Sequence, residues 1–136
     1  MIEDYFRQVD TLVSRTDVVH STRITFDKRS EFIGFIRGEV YFLDGSSLHL
    51  REFVDVEHGV SCYQYAYHYQ RTDGALVFRY DDTPHFAGLS TFPHHKHEGS
   101  EDNVVAAPAA DLAHVLTEIQ RLIVASAQRP SNVPSS

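Results

Sequence analysis

Tyrosine occupies every second position from Tyr63 to Tyr69, and Asp73-Gly74 follows closely. Side chains on a strand alternate between its two faces, so this spacing demands a strand with one aromatic face. Asp-Gly is a strong short-range signal for a hairpin turn. Counted back across a two-residue turn, Tyr69 falls opposite Phe78, Tyr67 opposite Tyr80 and His68 opposite Arg79. One face then carries Tyr63, Tyr65, Tyr67, Tyr69, Phe78 and Tyr80. The other carries Gln64, His68, Gln70, Arg79 and Asp81. A slip of one residue would exchange the two faces. Such a tyrosine stripe could stack RNA bases. The opposing Phe78 favours a core face under helices instead.

The remaining chain supplies the partners of this hairpin. Ile2, Tyr5, Phe6, Val9, Leu12 and Val13 recur at helical spacing, as do Leu112, Val115, Leu116, Ile119, Leu122 and Ile123. Pro108 near the start of the second helix and Asp111 in its first turn suit those positions. Val19 to Asp27, Ile33 to Leu43 and Leu48 to Val56 read as strands, the last two joined across Asp44-Gly45-Ser46-Ser47. A four-residue loop there pairs Leu43 with Leu48 and Tyr41 with Leu50. Gly34 and Gly38 mark a bend or bulge in the second strand. The fold class is α+β: about five antiparallel strands in a meander of hairpins, with the N-terminal and C-terminal helices on one face. Residues 1–127 form a single domain, and the Pro/Ser-rich residues 128–136 read as a disordered tail.

Charge and cysteine content narrow the function classes. The net charge of −7 argues against broad, sequence-independent nucleic-acid binding and favours a basic partner. It leaves room for a small, locally basic RNA-cleaving site. A single cysteine, Cys62, permits no internal disulfide and fits a reducing, cytoplasmic setting. The acidic start Met1-Ile2-Glu3-Asp4 lacks the pattern of a signal peptide, and no apolar run reaches membrane-spanning length. An exposed edge strand would invite pairing into a homodimer.

Two short boxes hold most of the reactive side chains. The first is Arg79-Tyr80-Asp81-Asp82-Thr83-Pro84-His85; the second is Thr91-Phe92-Pro93-His94-His95-Lys96-His97. In each, a proline precedes histidine and restrains the backbone that presents it. Histidine is the side chain whose ordinary pKa lies nearest physiological pH. If the second box is extended, His95 and His97 share a face while His94 and Lys96 point the other way. Two uses compete. In the first, two histidines among His85, His95 and His97 act as base and acid on a ribose 2′-hydroxyl and a leaving 5′-oxygen. Arg79 and Lys96 then hold the phosphate and Asp81 orients Arg79 or an imidazole, with no cofactor. In the second, His85, His95 and His97 bind zinc or another divalent metal. The bland alternative is a polar surface loop beside a cross-strand charge pair. Glu52, between Leu50 and Val54, is a weaker candidate for a carboxylate aimed at the site. Cys62 reads as buried and inert.

The stretch from Tyr63 through His97, and the second box above all, resembles the TumE family of toxin–antitoxin toxins. The order of flanking elements extends the resemblance to residues 1–126. It implies a cytoplasmic toxin paired with an antitoxin, often one bearing a DNA-binding helix-turn-helix, and interference with translation, with RNA as substrate. By motif position it points to Arg79, Asp81, His85, His95, Lys96 and His97. The family pattern has asparagine where this chain has Asp82. The leading expectation is a metal-independent ribonuclease toxin. The rivals are a non-catalytic toxin or binding module that acts by protein–protein contact, and a metal-dependent nuclease or hydrolase.

Overall fold

Every segment with strand alternation joins its sequence neighbour in the computed structural model, which describes residues 1–128. The elements are α1 (Ile2–Ser14), β1 (Val19–Lys28), β2 (Ile33–Phe42), β3 (Ser47–Asp55), β4 (Ser61–Gln70), β5 (Leu76–Asp81), β6 (His95–Glu98), β7 (Val104–Ala106) and α2 (Leu112–Ala127). The seven strands form one sheet in chain order, each pair antiparallel. The expectation of about five strands misses β6 and β7. β6 is the polar run His-Lys-His-Glu and β7 is only three residues long, so neither carries the usual strand signal. Gln128 caps α2, and the rest of the expected tail lies outside the described residues.

Both helices cover one face of the sheet. Val9 and Val13 of α1 and Leu112, Val115, Leu116 and Ile119 of α2 are buried with Val40, Leu48, Leu50, Tyr67 and Phe78. Each such apolar side chain removed from water stabilises the fold by roughly 1.5–3 kcal/mol. Asp111 is the N-cap of α2 rather than part of its first turn, and its carboxylate accepts from the His114 amide at 2.8 Å. Gly34 and Gly38 pair regularly and mark no bulge. At Gly34 the missing side chain admits α1: a Cβ there would lie 2.5 Å from Phe6 Cζ.

The hairpin turns depart from the expected lengths in instructive ways. Between β2 and β3 the loop has three residues, because Gly45 at φ 87° closes it and the Phe42 amide donates to Ser46 O at 2.9 Å. Tyr41 therefore faces Ser47, Val40 faces Leu48, and Leu43 is left exposed. The expected Leu43–Leu48 and Tyr41–Leu50 pairs do not form. The Asp73-Gly74 turn is likewise a three-residue loop, closed by the Arg71 amide donating to Ala75 O, with Gly74 at φ 86°. Here a bulge between Tyr69 and Gln70 absorbs the extra residue. Tyr69–Phe78, Tyr67–Tyr80 and His68–Arg79 pair as the two-residue count requires.

A second bulge overturns one face assignment. Gln64 adopts φ 54°, and the β3–β4 register shifts between Arg51 and Phe53. Tyr65, Tyr67 and Tyr69 are buried on the covered face, whereas Tyr63 turns to the open face beside Phe53, 38% exposed. Asp82 accepts from the Gln64 amide at 2.8 Å and so holds the bulge. The tyrosine stripe is core, as the opposing Phe78 implies.

Candidate functional site

Adding β6 to the edge of β5 sets Asp81 opposite His95 and Arg79 opposite His97. All four side chains project from the open face, where alternation places Arg79 and Asp81 together. Asp81 is 3% exposed, His95 2% and His97 7%. Their cover is the segment linking β5 to β6, whose Phe86 ring lies 4.8 Å from the His95 ring and 6.0 Å from that of His97. Two bonds tie this segment down: Thr91 Oγ1 donates to His94 O at 2.7 Å and accepts from the Ala107 amide at 3.0 Å.

Asp81 is the hub. Its Oδ2 accepts from Arg79 Nε at 2.9 Å and its Oδ1 from the Thr83 amide at 3.0 Å, and His95 Nε2 lies 2.9 Å from Oδ1. Burial pushes its carboxyl up, but the bonds from Arg79 and Thr83 and the neighbouring His95 outweigh it and hold the group below the ordinary aspartate value. Nδ1 of His95 faces Pro93 O at 3.0 Å. His97 differs. Its Nδ1 donates to Glu101 O at 2.8 Å, while its Nε2 stands 3.8 Å from Asp81 Oδ2, too far to bond. The backbone carbonyl thus selects the tautomer that leaves the Nε2 lone pair free.

The other expected site residues are not bonded to this group. His85 is exposed on the loop, and its ring has no hydrogen-bond partner among the described residues. Lys96 points to the covered face, since neighbours in a strand alternate. There its Nζ lies 2.8 Å from Glu118 Oε2 and 3.0 Å from Glu98 Oε1, over the rings of Phe78 and Tyr80. It is not beside the histidines, so the expected Arg79–Lys96 phosphate clamp is not assembled. His94 bonds Tyr65 Oη at 2.8 Å. Glu52 is also on the covered face, wholly buried, and accepts from Tyr5 and, at 2.7 Å, from Tyr67. It is not aimed at the site. Burial of the open-face cluster depends on Phe86 and on the Glu101 carbonyl, which no sequence signal marked.

Asp81, His95 and His97 can each offer one donor atom within 4.8 Å of the others, a set able to hold a divalent ion. Both histidines turn Nδ1 to a backbone carbonyl, the usual outer support of a metal-bound imidazole. The Arg79 guanidinium on Asp81 works against a cation there.

A comparison with protein families matches residues 9–123 to the family described as Toxin TumE. The chain belongs to that toxin family. No curated protein and no solved structure matches it. In this TumE-family toxin the Asp82 carboxylate only accepts a backbone hydrogen bond, and an asparagine oxygen could do the same. Among the described residues no helix is long and apolar enough to cross a membrane.

Proposed function

We propose that this toxin is a metal-independent ribonuclease of the cytoplasm, held in check by a cognate antitoxin. The observation that carries the reading is the His97 ring: Nδ1 tied to a backbone carbonyl, Nε2 free, and Arg79 opposite it. His97 Nε2 takes the proton of a ribose 2′-hydroxyl. The freed 2′-oxygen attacks phosphorus, the bond to the 5′-oxygen breaks, and an imidazolium returns a proton to the leaving oxygen. His85, exposed and unbonded on the loop, is the candidate for that second step. Arg79 holds Asp81 through Nε and stands 3.5 Å from His68 Nδ1 through Nη1, which leaves Nη2 for the phosphate oxygens. Asp81 and His95 are positioning residues: Asp81 holds Arg79, and His95 holds Asp81. The products are a 2′,3′-cyclic phosphate and a 5′-hydroxyl.

The Asp81, His95 and His97 donor set supports a second reading, a metal-dependent nuclease. One experiment separates the two. Purified protein without a histidine tag is incubated with single-stranded RNA, with and without a strong chelator, beside His97→Ala. Cleavage that survives chelation, leaves cyclic-phosphate ends and vanishes in His97→Ala supports the metal-free mechanism. Cleavage abolished by chelator and restored by zinc or manganese supports the metal site. Toxicity in cells without cleavage by the purified protein points to a non-catalytic toxin acting through protein contact.

A further inference from the structure

The open face carries more than the candidate site. Cross-strand register aligns Arg37 of β2 with Arg51 of β3, Arg51 with Ala66 of β4, Ala66 with Asp81, and Asp81 with His95. This row runs across the sheet straight into the site. At about 4.8 Å per strand, Arg51 and Arg37 stand about 10 and 15 Å from Asp81. Both arginines are exposed, and neither makes an ion pair among the described residues. Like charges directly opposite each other destabilise a sheet. In a chain of net charge −7 there is no shortage of carboxylates to neutralise them, yet none does. A ligand with several negative charges would relieve the repulsion.

The next row on the same face is aromatic. Phe35 of β2 pairs with Phe53 of β3, and Phe53 with Tyr63 of β4, the residue turned outward by the Gln64 bulge. The Phe53 and Tyr63 rings are 4.9 Å apart, and Tyr63 is 38% exposed. Both helices lie on the opposite face, so this ladder stays half-buried, with Tyr63 at its exposed end. A cationic row beside an aromatic row is the pairing that binds single-stranded nucleic acid, phosphates on the one and stacked bases on the other.

We infer that the open face of β2–β4 is a platform for single-stranded RNA, with phosphates on Arg37 and Arg51 and bases on Phe53 and Tyr63. The strand continues along the row toward Asp81 and His95 and meets Arg79 and His97 in the row beside it, and this last step rests on the ribonuclease reading. An acidic protein segment could also meet the arginines, but a ladder of flat rings adds nothing for carboxylates and much for bases.

The test separates binding from cleavage. A fluorescein-labelled single-stranded RNA is titrated with full-length His97→Ala protein, which holds its substrate uncleaved, and anisotropy is read at several salt concentrations. Adding Arg37→Gln/Arg51→Gln should weaken binding about tenfold or more and reduce the slope of log affinity against log salt by about 1.4. Adding Phe53→Ala/Tyr63→Ala should weaken binding at least tenfold with the slope unchanged. Arg37, Arg51 and Tyr63 are exposed and Phe53 is half-buried, and unchanged melting temperatures would show that the variants fold. RNA affinity equal in all variants, or no RNA binding by the parent, overturns the platform. So does a loss confined to binding of the antitoxin. Weakened binding in the variants together with no cleavage by the wild type would uphold the platform and sink the ribonuclease reading. Cleavage with unaltered binding would do the reverse.

Discussion

Glu52 and Asp81 are both buried carboxylates of one sheet, on opposite faces, and their surroundings differ in charge. Glu52 meets only neutral donors, the hydroxyls of Tyr5 and Tyr67. Burial pushes its carboxyl above the ordinary glutamate value, although the tyrosine hydrogen bonds pull the other way. Asp81 meets a guanidinium, two imidazoles and a backbone amide, and is held below the ordinary value. Core burial without a cation leaves a carboxyl that favours its proton. Burial beside a guanidinium and a backbone amide leaves a carboxylate that organises other groups. The first arrangement cross-links α1 to the sheet; the second aligns Arg79 and the histidines on the open face, under Phe86.

The largest effect should come from the open face. His97→Ala should lower RNA cleavage by about 10²- to 10⁴-fold in protein that keeps its fold by circular dichroism. Continued cleavage would remove His97 from the mechanism. Asp81→Asn strips the hub of charge while Arg79 and His95 remain. Breaking such a buried pair should cost about 3 kcal/mol in denaturant unfolding and reduce cleavage as well. If stability fell and cleavage held, Asp81 would be a structural residue like Glu52.

The pH dependence of stability should split the two carboxyls. The Glu52 contribution is fully present below the ordinary glutamate value and is lost as pH rises through its elevated folded value. Glu52→Gln should therefore gain stability relative to wild type as pH rises above the ordinary glutamate value, read by urea denaturation. The Asp81 contribution is present above the ordinary aspartate value and is lost as pH falls through its depressed folded value. Asp81→Asn should accordingly approach wild-type stability only in strong acid. The smallest effect belongs to Lys96→Met on the covered face. It should cost roughly 1 kcal/mol through the lost pair with Glu118 and leave cleavage unaltered. A loss of cleavage there would return Lys96 to the site.

Alternation in the sequence determined the covered face. Tyr65, Tyr67, Tyr69, Phe78 and Tyr80 are spaced for one side of a hairpin, and hydrophobic burial leaves them one place to go. The helices follow from their apolar stripes by the same reasoning. Parity also predicted that Arg79 and Asp81 share a face and that His95 and His97 do. What parity could not supply is how those two pairs meet. That depended on β6 docking at the edge of β5, on Gly45, Gly74 and Gln64 setting loop lengths and bulges, and on Phe86 roofing the histidines. Each of these is a long-range pairing or a single backbone angle, invisible to a pattern read along the chain. The same docking sent Lys96 away from the histidines beside it in sequence, because adjacent residues of a strand face opposite sides of a sheet.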